Sequence, residues 1–338
     1  ASDVYKRQLQ YRKKSNGRQP FWENKGERKM SFYSFLSAIE LGLIYSLTAL
    51  GLFLSYRILN VPDLTADGSF TLGAATAIVF TLMGHPIFGI FAAALAGALS
   101  GLVTAFLQTK MKIQPILAGI ITMTALYSIN LMVMDNKANL SITSEQSLYT
   151  AVGQLVGKKA QGMVLSFMTA AGVIILLVLF FHTRLGLCVR ATGDNEEMVR
   201  SSSVNADGMK AIGLATANAC IALSGAMIAH YNCYAEVKMG IGMVVIGLAS
   251  LIIGEIAVEL FAKNKTIFLS VFAAVIGSVL YRLIIAQALE MNFSASCLKL
   301  ITAVIVAAAM SYPAVRETIE FYRKRRGRKA DVEAAKHQ

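Results

Sequence analysis

RLGLCVRATGDNEEMVRSSSVNADGMK, residues 184–210, is a long charged segment that lies between apolar runs of membrane-spanning length. The chain is 55% hydrophobic and only 15% charged, so most of its 338 residues cannot form an ordinary soluble surface. Polar and apolar residues do not alternate, which favours helices over a β-barrel, because a helix satisfies its own backbone hydrogen bonds in lipid. We therefore predict an all-α fold, a polytopic transmembrane helical bundle.

About nine spans are predicted, five before the charged segment and four after it. They are residues 32–56, 68–83, 86–107, 114–134, 162–181, 211–232, 240–258, 266–287 and 297–312. Nine spans place the two chain ends on opposite sides of the membrane. The loops on the side of the C-terminus hold 17 Lys and Arg residues and the opposite loops hold four, so the positive-inside rule places residues 184–210 in the cytoplasm.

The first 29 residues hold nine Lys and Arg against three acids and lack the apolar core of a signal peptide. In the predicted orientation they would lie outside, against the positive-inside rule. We interpret residues 1–29 as a non-native basic tail, residues 30–312 as the transmembrane domain, and residues 313–338 as a cytoplasmic basic tail. The alternative is that one short segment is re-entrant, which would change the side on which the N-terminus lies.

Several function classes are disfavoured by what the chain lacks. The net charge of +12 is concentrated in the two tails, which favours anionic lipid over nucleic acid as the partner. Its four cysteines and four histidines are scattered, so we expect no cofactor and no metal site. No P-loop and no catalytic motif occurs, so we do not expect an enzyme.

Two segments are predicted to be short, Ser69 to Met83 and Gly240 to Gly254, with 15 residues each. Such a helix covers about 22 Å of a hydrocarbon layer about 30 Å thick. Pro62 prevents a helix from continuing into the first segment, Asp67 can cap the helix that follows, and we expect this entry to lie at membrane depth, buried in protein.

Short or glycine-interrupted helices near the substrate path are a feature of transporters. The alternative for these glycines is close helix packing, as for the GxxxG of Gly97 and Gly101. The candidate path residues are Asp63, Asp67, Gly68, Gly240, Gly242 and Gly247.

Two other features leave alternatives open. Glu40 lies inside its span, where a charge is costly, and is either functional or part of helix packing. The outer connection, residues 135–161, is either a short surface helix that meets an external partner or a solvated loop.

The charged segment has four basic and four acidic residues, which argues against lipid and for a protein partner. Asp194 or Asn195 can cap a helix that has Glu196 and Glu197 in its first turn and runs to about Ser203. A short charged helix of this kind is suited to docking in a cleft of another protein.

Four motifs together resemble the membrane permease subunits of ATP-binding-cassette (ABC) importers of the branched-chain amino acid and ribose type. Residues 190–227 and 240–255 carry the resemblance; residues 57–75 (RILNVPDLTADGSFTLGAA) and 297–310 (CLKLITAVIVAAAM) narrow it to a subgroup paired with tryptophan/tyrosine-type binding lipoproteins. The similarity covers residues 30 to about 312.

This resemblance implies that the loop forms a coupling helix that contacts a cytoplasmic ABC ATPase subunit. The residues implied are Arg190, Asp194, Asn195, Glu196, Glu197, Arg200 and Ser203. Ser203 stands where family members commonly have glycine, and Glu197 where they often have proline. We expect that reversing the charges of Glu196 and Glu197 uncouples ATP hydrolysis from transport and leaves the fold intact.

The resemblance further implies an external substrate-binding lipoprotein, a second permease copy in a homodimer, membrane lipid and a bacterial inner membrane. The implied substrate is a small solute, an aromatic or other hydrophobic amino acid. The alternatives are a secondary transporter or channel that acts without an ATPase, and a membrane-bound enzyme.

Overall fold

A computed structural model describes residues 32–143, 147–157, 161–261 and 266–290, together with 300, 302–304, 306–308 and 311. The helices in this part are α1 Phe32–Leu52, α2 Thr65–Leu82, α3 Pro86–Thr109, α4 Pro115–Val133, α5 Leu148–Val156, α6 Gln161–His182, α7 Arg184–Asp194, α8 Glu196–Ser201, α9 Ala206–Asn232, α10 Met243–Phe261 and α11 Ile267–Glu290. Strands β1 (Asn139–Ser141) and β2 (Tyr234–Glu236) pair antiparallel. The predicted all-α bundle is confirmed.

Six of the described helices are long and apolar enough to cross a membrane: α1 with its continuation to Ile58, α3, α4, α6, α9 and α11. Each coincides with a predicted span. Helices α2 and α10 lie at two further predicted spans but are not among these six. Most of the predicted span 297–312 and both predicted tails lie outside the described residues, so nine spans stays a prediction.

Helix α9 lies at the centre of the bundle and packs closely on its neighbours through small residues. A Cβ on Gly73 of α2 would lie 2.0 Å from the Ala222 carbonyl oxygen, and one on Gly101 of α3 would lie 2.3 Å from the Leu214 carbonyl oxygen. A Cβ on Gly97 would lie 2.4 Å from the Ala222 Cβ. The packing interpretation of the GxxxG pair is therefore confirmed, because only glycine allows these backbones to approach.

A buried polar network joins the segment before α2 to the middle of α9. Asp63, which is 2% exposed, accepts hydrogen bonds from the Thr65 N–H at 2.9 Å and from Asn218 Nδ2 at 2.7 Å. Asn218 Oδ1 accepts from Ser69 Oγ, which lies 2.7 Å from Ser100 Oγ. Asn218 lies near the midpoint of α9, a helix of 27 residues, so α2 begins deep inside the bundle, as predicted.

Two predicted helix boundaries are wrong. Helix α2 has 18 residues and begins at Thr65, and α10 has 19 residues and runs from Met243 to Phe261. Asp67 lies inside the first turn of α2 and does not cap that helix. The two short segments of 15 residues stopped short of Asp67 and Glu255, whereas both helices continue past these acids, which have partners: Glu255 Oε1, for example, lies 2.9 Å from Arg57 Nε.

Glu40 has a structural partner. The side chain is buried, and its carboxylate accepts a hydrogen bond from the Met163 backbone N–H in the first turn of α6. Gly162 gives the carboxylate room, since a Cβ there would lie 2.7 Å from Glu40 Oε1. A carboxylate at a helix N-terminus is favourable, which supports the packing interpretation of Glu40.

The outer connection contains a short helix, α5, one of the two expected alternatives. Ser147 begins it by accepting a hydrogen bond from the Tyr149 N–H at 3.4 Å, and its hydroxyl donates to the His230 carbonyl at 2.8 Å near the end of α9. Strand β1 precedes α5 and pairs with β2, which follows α9. The described part of the connection is therefore fixed to the C-terminal end of α9.

Candidate functional site

Helices α2 and α10 begin at the same place, and the Asp67 side chain joins them. Asp67 Oδ2 accepts a hydrogen bond from the Gly242 N–H and Oδ1 accepts one from the Val244 N–H, both at 2.9 Å. The Met243 N–H also bonds to this carboxylate. Asp67 therefore caps α10, a helix that lies about 175 residues further along the chain, and satisfies N–H groups that have no partner within that helix.

Glycines allow the chain before α10 to lie against α2. The Gly240 N–H donates to Thr71 Oγ1 at 3.1 Å, and a Cβ on Gly240 would lie 2.0 Å from the Asp67 carbonyl oxygen. Gly242 has a φ of 88°, the left-handed region that favours glycine. Gly240 and Gly242, two of the candidate path residues, thus form a tight turn that packs against Asp67.

A cavity of about 270 Å³ lies beside this turn. It is open on one side, where Tyr127 is 47% and Ile241 70% exposed. The lining is mostly apolar and contains one acidic residue, Asp67, and no basic residue. Its lining residues are Asp67, Gly68, Thr71, Met123, Thr124, Tyr127, Asn130, Val237 and Ile241.

Asn130 is the one side-chain amide among the residues that line this cavity. It is 1% exposed, and its Nδ2 donates to the Gly68 carbonyl at 3.3 Å. Its Oδ1 is buried and has no hydrogen-bond partner among the described residues. An unpaired buried acceptor is costly, so Asn130 marks a place where a donor is expected.

The candidate path residues divide into two groups. Asp67 and Gly68 line the cavity, and Gly240 and Gly242 form the turn above it. Asp63 lies in the buried network with Asn218 and is not among the lining residues. Gly247 packs on α1, since a Cβ there would lie 2.4 Å from Leu52 Cδ1. Neither of these two residues meets the cavity.

Helix α4 supplies lining residues that the sequence prediction missed, namely Met123, Thr124, Tyr127 and Asn130. The available signal was Asn130, an amide close to the end of an otherwise apolar span. Its partners could not be predicted, because Gly68 lies 62 positions earlier in the chain.

The charged segment forms two helices, α7 and α8, instead of the single predicted one. Asn195 caps α8 by accepting a hydrogen bond from the Met198 N–H at 3.0 Å, which confirms one of the two predicted caps. Helix α8 ends at Ser201, and Ser203 has a φ of 60°. Glycine adopts this left-handed conformation most readily, which fits the expectation from the resemblance that glycine is common at this position.

Ion pairs hold α8 against the start of α9. Glu196 Oε2 lies 2.5 Å from Lys210 Nζ, and Glu196 Oε1 lies 2.9 Å from Arg200 Nη2. Arg200 also pairs with Asp207. The hydrogen bond from Lys210 is the main cause that lowers the pKa of Glu196, and the bond to Glu196 is the main cause that raises the pKa of Arg200.

The exposed face of this docking loop, residues 184–210, differs from its inner face. Glu197 and Met198 are exposed on α8, and Arg190, Asp194 and Asn195 are exposed beside it. Glu197 has no ion pair among the described residues. Reversing the charge of Glu196 would disturb its contacts with Lys210 and Arg200, whereas Glu197 has no such contacts, so the predicted effect of the double reversal on coupling is better tested at Glu197 alone.

The docking loop is also packed against α1. Phe53–Ile58 continues α1 as a π-helix, and a Cβ on Gly193 would lie 1.8 Å from the Ile58 carbonyl oxygen. Arg57 of the π-helix pairs with Glu255 of α10. Backbone contact and one ion pair thus connect the docking loop with the helix that Asp67 caps at its other end.

Comparison with known proteins gives matches over most of the chain. The family model described as "Branched-chain amino acid transport system / permease component" matches residues 34–311. The chain is 37% identical over 279 residues to the "Tyrosine transport system permease protein" of Clostridioides difficile (strain R20291), covering 82% of this chain and 90% of that protein.

A second relative is the "Uncharacterized protein RP368" of Rickettsia prowazekii (strain Madrid E), 30% identical over 282 residues, with 82% of this chain and 96% of that protein covered. A chain of the solved structure "PsaBC from Streptococcus pneumoniae in complex with Fab" is 12% identical, with a TM-score of 0.45, and the match covers 82% of this chain and 89% of that chain.

Proposed function

The chain belongs to the family of branched-chain amino acid transport system permease components, and from this premise we propose that it forms the translocation path of an ATP-driven importer. Membership confirms the resemblance drawn from the sequence and makes the chain a membrane transport component of a family that is not catalytic. The observation that carries the proposal is the docking loop, residues 184–210. Its helix α8 is held to the start of α9 by ion pairs and exposes Glu197 and Met198.

A separate cytoplasmic ABC ATPase is the partner that fits this loop. Glu196, Arg200, Asp207 and Lys210 pair among themselves, so the loop keeps its shape without a partner. Glu197 and Met198 remain exposed to contact one. Movement of the ATPase would pass from Gly193 to the π-helix Phe53–Ile58, and from Arg57 through its ion pair with Glu255 to α10. Helix α10 begins beside the cavity, so this movement would contribute to alternating access.

The proposed substrate is an aromatic or other hydrophobic amino acid, with tyrosine the first candidate. The 37% identical relative is named a tyrosine transport permease. The cavity supports this choice, because Met123, Tyr127, Val237 and Ile241 offer an apolar surface to an aromatic ring. Its volume of about 270 Å³ suits one small solute.

An external binding lipoprotein and a second copy of the chain complete the proposed assembly, in a bacterial inner membrane. The paired strands β1 and β2 and helix α5 lie at the outer end of α9, where a binding protein would dock. The open side of the cavity at Tyr127 and Ile241 is the face that a second copy would close in a homodimer.

Uptake of L-tyrosine by proteoliposomes tests the proposal. The permease would be reconstituted with its ATPase and binding lipoprotein, and ATP-dependent uptake is the expected result. A matched assembly whose ATPase carries a substituted Walker lysine should take up nothing above background. Uptake that continues in that assembly would contradict the proposal and favour a secondary transporter or channel.

The rival class needs ionisable groups in the spans that are available for ion coupling. The acidic residues in question are engaged in structural contacts: Glu40 at the start of α6, Asp67 at the start of α10, and Glu255 with Arg57. These contacts give each carboxylate a structural role, so none of the three needs ion coupling to explain its place in the fold, which favours the ATP-driven alternative.

A further inference from the structure

We propose that the cavity beside Asp67 receives the side chain of the transported amino acid, and that Tyr127 favours an aromatic ring over a saturated ring in this cavity. The inference rests on the proposed function, because it takes an amino acid as the solute. It gives the solute an orientation, with its side chain in the cavity and its charged end toward the open side, and it assigns a specificity-determining residue.

The polar side chains that line the cavity are already used by the fold. The Asp67 carboxylate accepts hydrogen bonds from three backbone N–H groups at the start of α10. Thr71 Oγ1 donates to the Asp67 carbonyl at 3.2 Å and accepts from the Gly240 N–H at 3.1 Å. Thr124 Oγ1 donates to the Ile120 carbonyl at 2.8 Å. Each of these groups is directed at the backbone of the chain.

Asn130 also offers little to a solute. Its Nδ2 donates to the Gly68 carbonyl, and its Oδ1 is buried with almost no accessible surface. A charged group that leaves water needs strong partners, because burying an unpaired charge is costly. No basic residue lines the cavity, and a solute carboxylate would meet the negative charge of Asp67 there. The apolar side chain is therefore the end of an amino acid that fits this cavity.

Tyr127 is the one aromatic residue among those that line the cavity. It lies within α4, where the helix covers the backbone, so its 47% exposure is mainly that of the side chain. Met123, one turn earlier on the same helix, also lines the cavity and offers a sulfur that packs well against a ring. An aromatic solute can pair with the Tyr127 ring in a stacked or edge-to-face arrangement, a gain that a saturated ring of similar size lacks.

L-phenylalanine and L-cyclohexylalanine test this preference, because they differ only in the saturation of the ring. Their dissociation constants would be measured by saturation-transfer NMR on the full chain in nanodiscs, without binding protein or ATPase. Empty nanodiscs correct for partition into lipid. The quantity compared between variants is the ratio of the two constants, because the greater hydrophobicity of the saturated ring then cancels.

Substitutions assign the preference to the Tyr127 ring. Tyr127→Leu should shift the ratio at least about threefold toward cyclohexylalanine, the loss of one aromatic pair. Tyr127→Phe keeps a ring and should leave the ratio unchanged. Ile241→Val is the matched control, because Ile241 lines the same cavity and is 70% exposed but has no ring. Its ratio should equal that of the wild-type chain.

Probes that lack one charged group test the orientation. Phenylethylamine has no carboxylate and phenylpropionate has no ammonium group. Both should bind the wild-type chain within about threefold of phenylalanine, since exposed charges interact weakly. A loss of about tenfold or more on removing either group is the effect of a charge-assisted hydrogen bond, and would show that the charged end is held in the cavity. That result would overturn the orientation.

A Tyr127→Leu chain with the wild-type ratio would overturn the assigned preference, and would leave the exposed ring to lipid or to the second copy. A wild-type chain that binds neither amino acid would do the same. Tyr127→Met is a second ring-free variant in which the same shift is expected, so the test does not depend on the folding of Tyr127→Leu. Failure of the proposed function is a different result, namely no ATP-dependent uptake by the complete wild-type assembly, whatever the ratio.

Discussion

Asp67 is part of one helix and caps another, and the fit between them depends on single atoms. Its carboxylate replaces the hydrogen-bond partners that Gly242, Met243 and Val244 lack at the start of α10. This works only because the Gly240 backbone approaches the Asp67 carbonyl with no side chain between them. The turn beside the cavity can therefore form only because Gly240 has no Cβ atom.

Replacing Gly240 with alanine should therefore disrupt the turn over the cavity. The added Cβ would lie 2.0 Å from the Asp67 carbonyl oxygen, a backbone atom that cannot move aside cheaply. We expect a loss of about 1–3 kcal/mol in unfolding free energy, typical of overpacking, measured by thermal unfolding in detergent. Gly172→Ala in α6 is the control, because its Cβ would meet nothing within 4 Å and its stability should not fall. Equal stability of the two variants would refute the account of the turn.

At the scale of the element, α8 has one face that is held by internal ion pairs and one exposed face that we propose to contact the ATPase. Glu196 faces inward and pairs with Lys210 and Arg200, whereas Glu197 faces outward. Adjacent residues of the same type thus have different roles, since consecutive positions on a helix are about 100° apart.

Glu197→Lys should reduce ATP-dependent uptake without changing the fold, because it reverses a charge on the proposed ATPase-facing surface. We expect uptake to fall at least about tenfold, as for an interface charge pair made repulsive. The measurements are uptake, ATPase stimulation by the loaded binding protein, and the melting temperature of the permease. Lys110→Glu, a charge reversal at an exposed residue between α3 and α4, is the control and should transport normally. Unchanged uptake by Glu197→Lys would remove α8 from the interface.

The attachment of α8 should depend on pH through Glu196. Its pKa is lowered in the folded chain, so the ion pairs contribute stability above the ordinary glutamate pKa of about 4.3 and lose it as the pH falls through the lower folded value. Hydrogen exchange of residues 196–207, corrected for intrinsic rates, should show constant protection from neutral pH to about 5 and weaker protection below about 4. In Glu196→Gln, protection should already be weak at neutral pH. Protection that rises on acidification would contradict this assignment.

At the scale of the whole molecule, the bundle is organised around the middle of α9. Asn218 there links the entry of α2 with α3, through Asp63, Ser69 and Ser100. Helix α10 begins at about the same depth in the bundle as α2. The reason is that Asp67, which caps α10, lies only four residues after Asp63 of the buried network. The two helix N-termini, the buried network and the cavity therefore lie at one level of the fold, near the centre of its longest span.

Asn218→Leu should destabilise the entire bundle. It removes the hydrogen bond from Asn218 Nδ2 to the buried Asp63 carboxylate, which costs about 1–3 kcal/mol or more for a charged group. Thermal unfolding in detergent and yield in the membrane would measure the loss. Thr216→Val on the same helix is the control, because its hydroxyl bonds only to the Ile212 carbonyl of its own helix, and it should cost little. An equal loss of stability in both variants would show that helix packing, and not the hydrogen-bond network of Asn218, causes the loss.

The sequence by itself determined the helical bundle, the family and a short charged helix capped by Asn195. These follow from local properties: apolar length, helix-capping chemistry and motif order. It also located Asp67, Gly68, Gly240 and Gly242, because glycines and acids in apolar runs are conspicuous. It failed for the boundaries of α2 and α10, for the inner role of Glu196, and for Asn130.

Only the tertiary structure decided those points, because each depends on atoms far apart in the chain. A carboxylate can lie inside the bundle when backbone N–H groups of another helix donate hydrogen bonds to it. Asp67 accepts such bonds from N–H groups at the start of α10. The hydrogen bond of Asn130 likewise depends on Gly68, 62 positions earlier, whose carbonyl accepts from Nδ2 and leaves Oδ1 without a partner among the described residues. Hydropathy counts each residue alone, whereas the cost of a buried polar atom is set by its partner, and partners are fixed by packing.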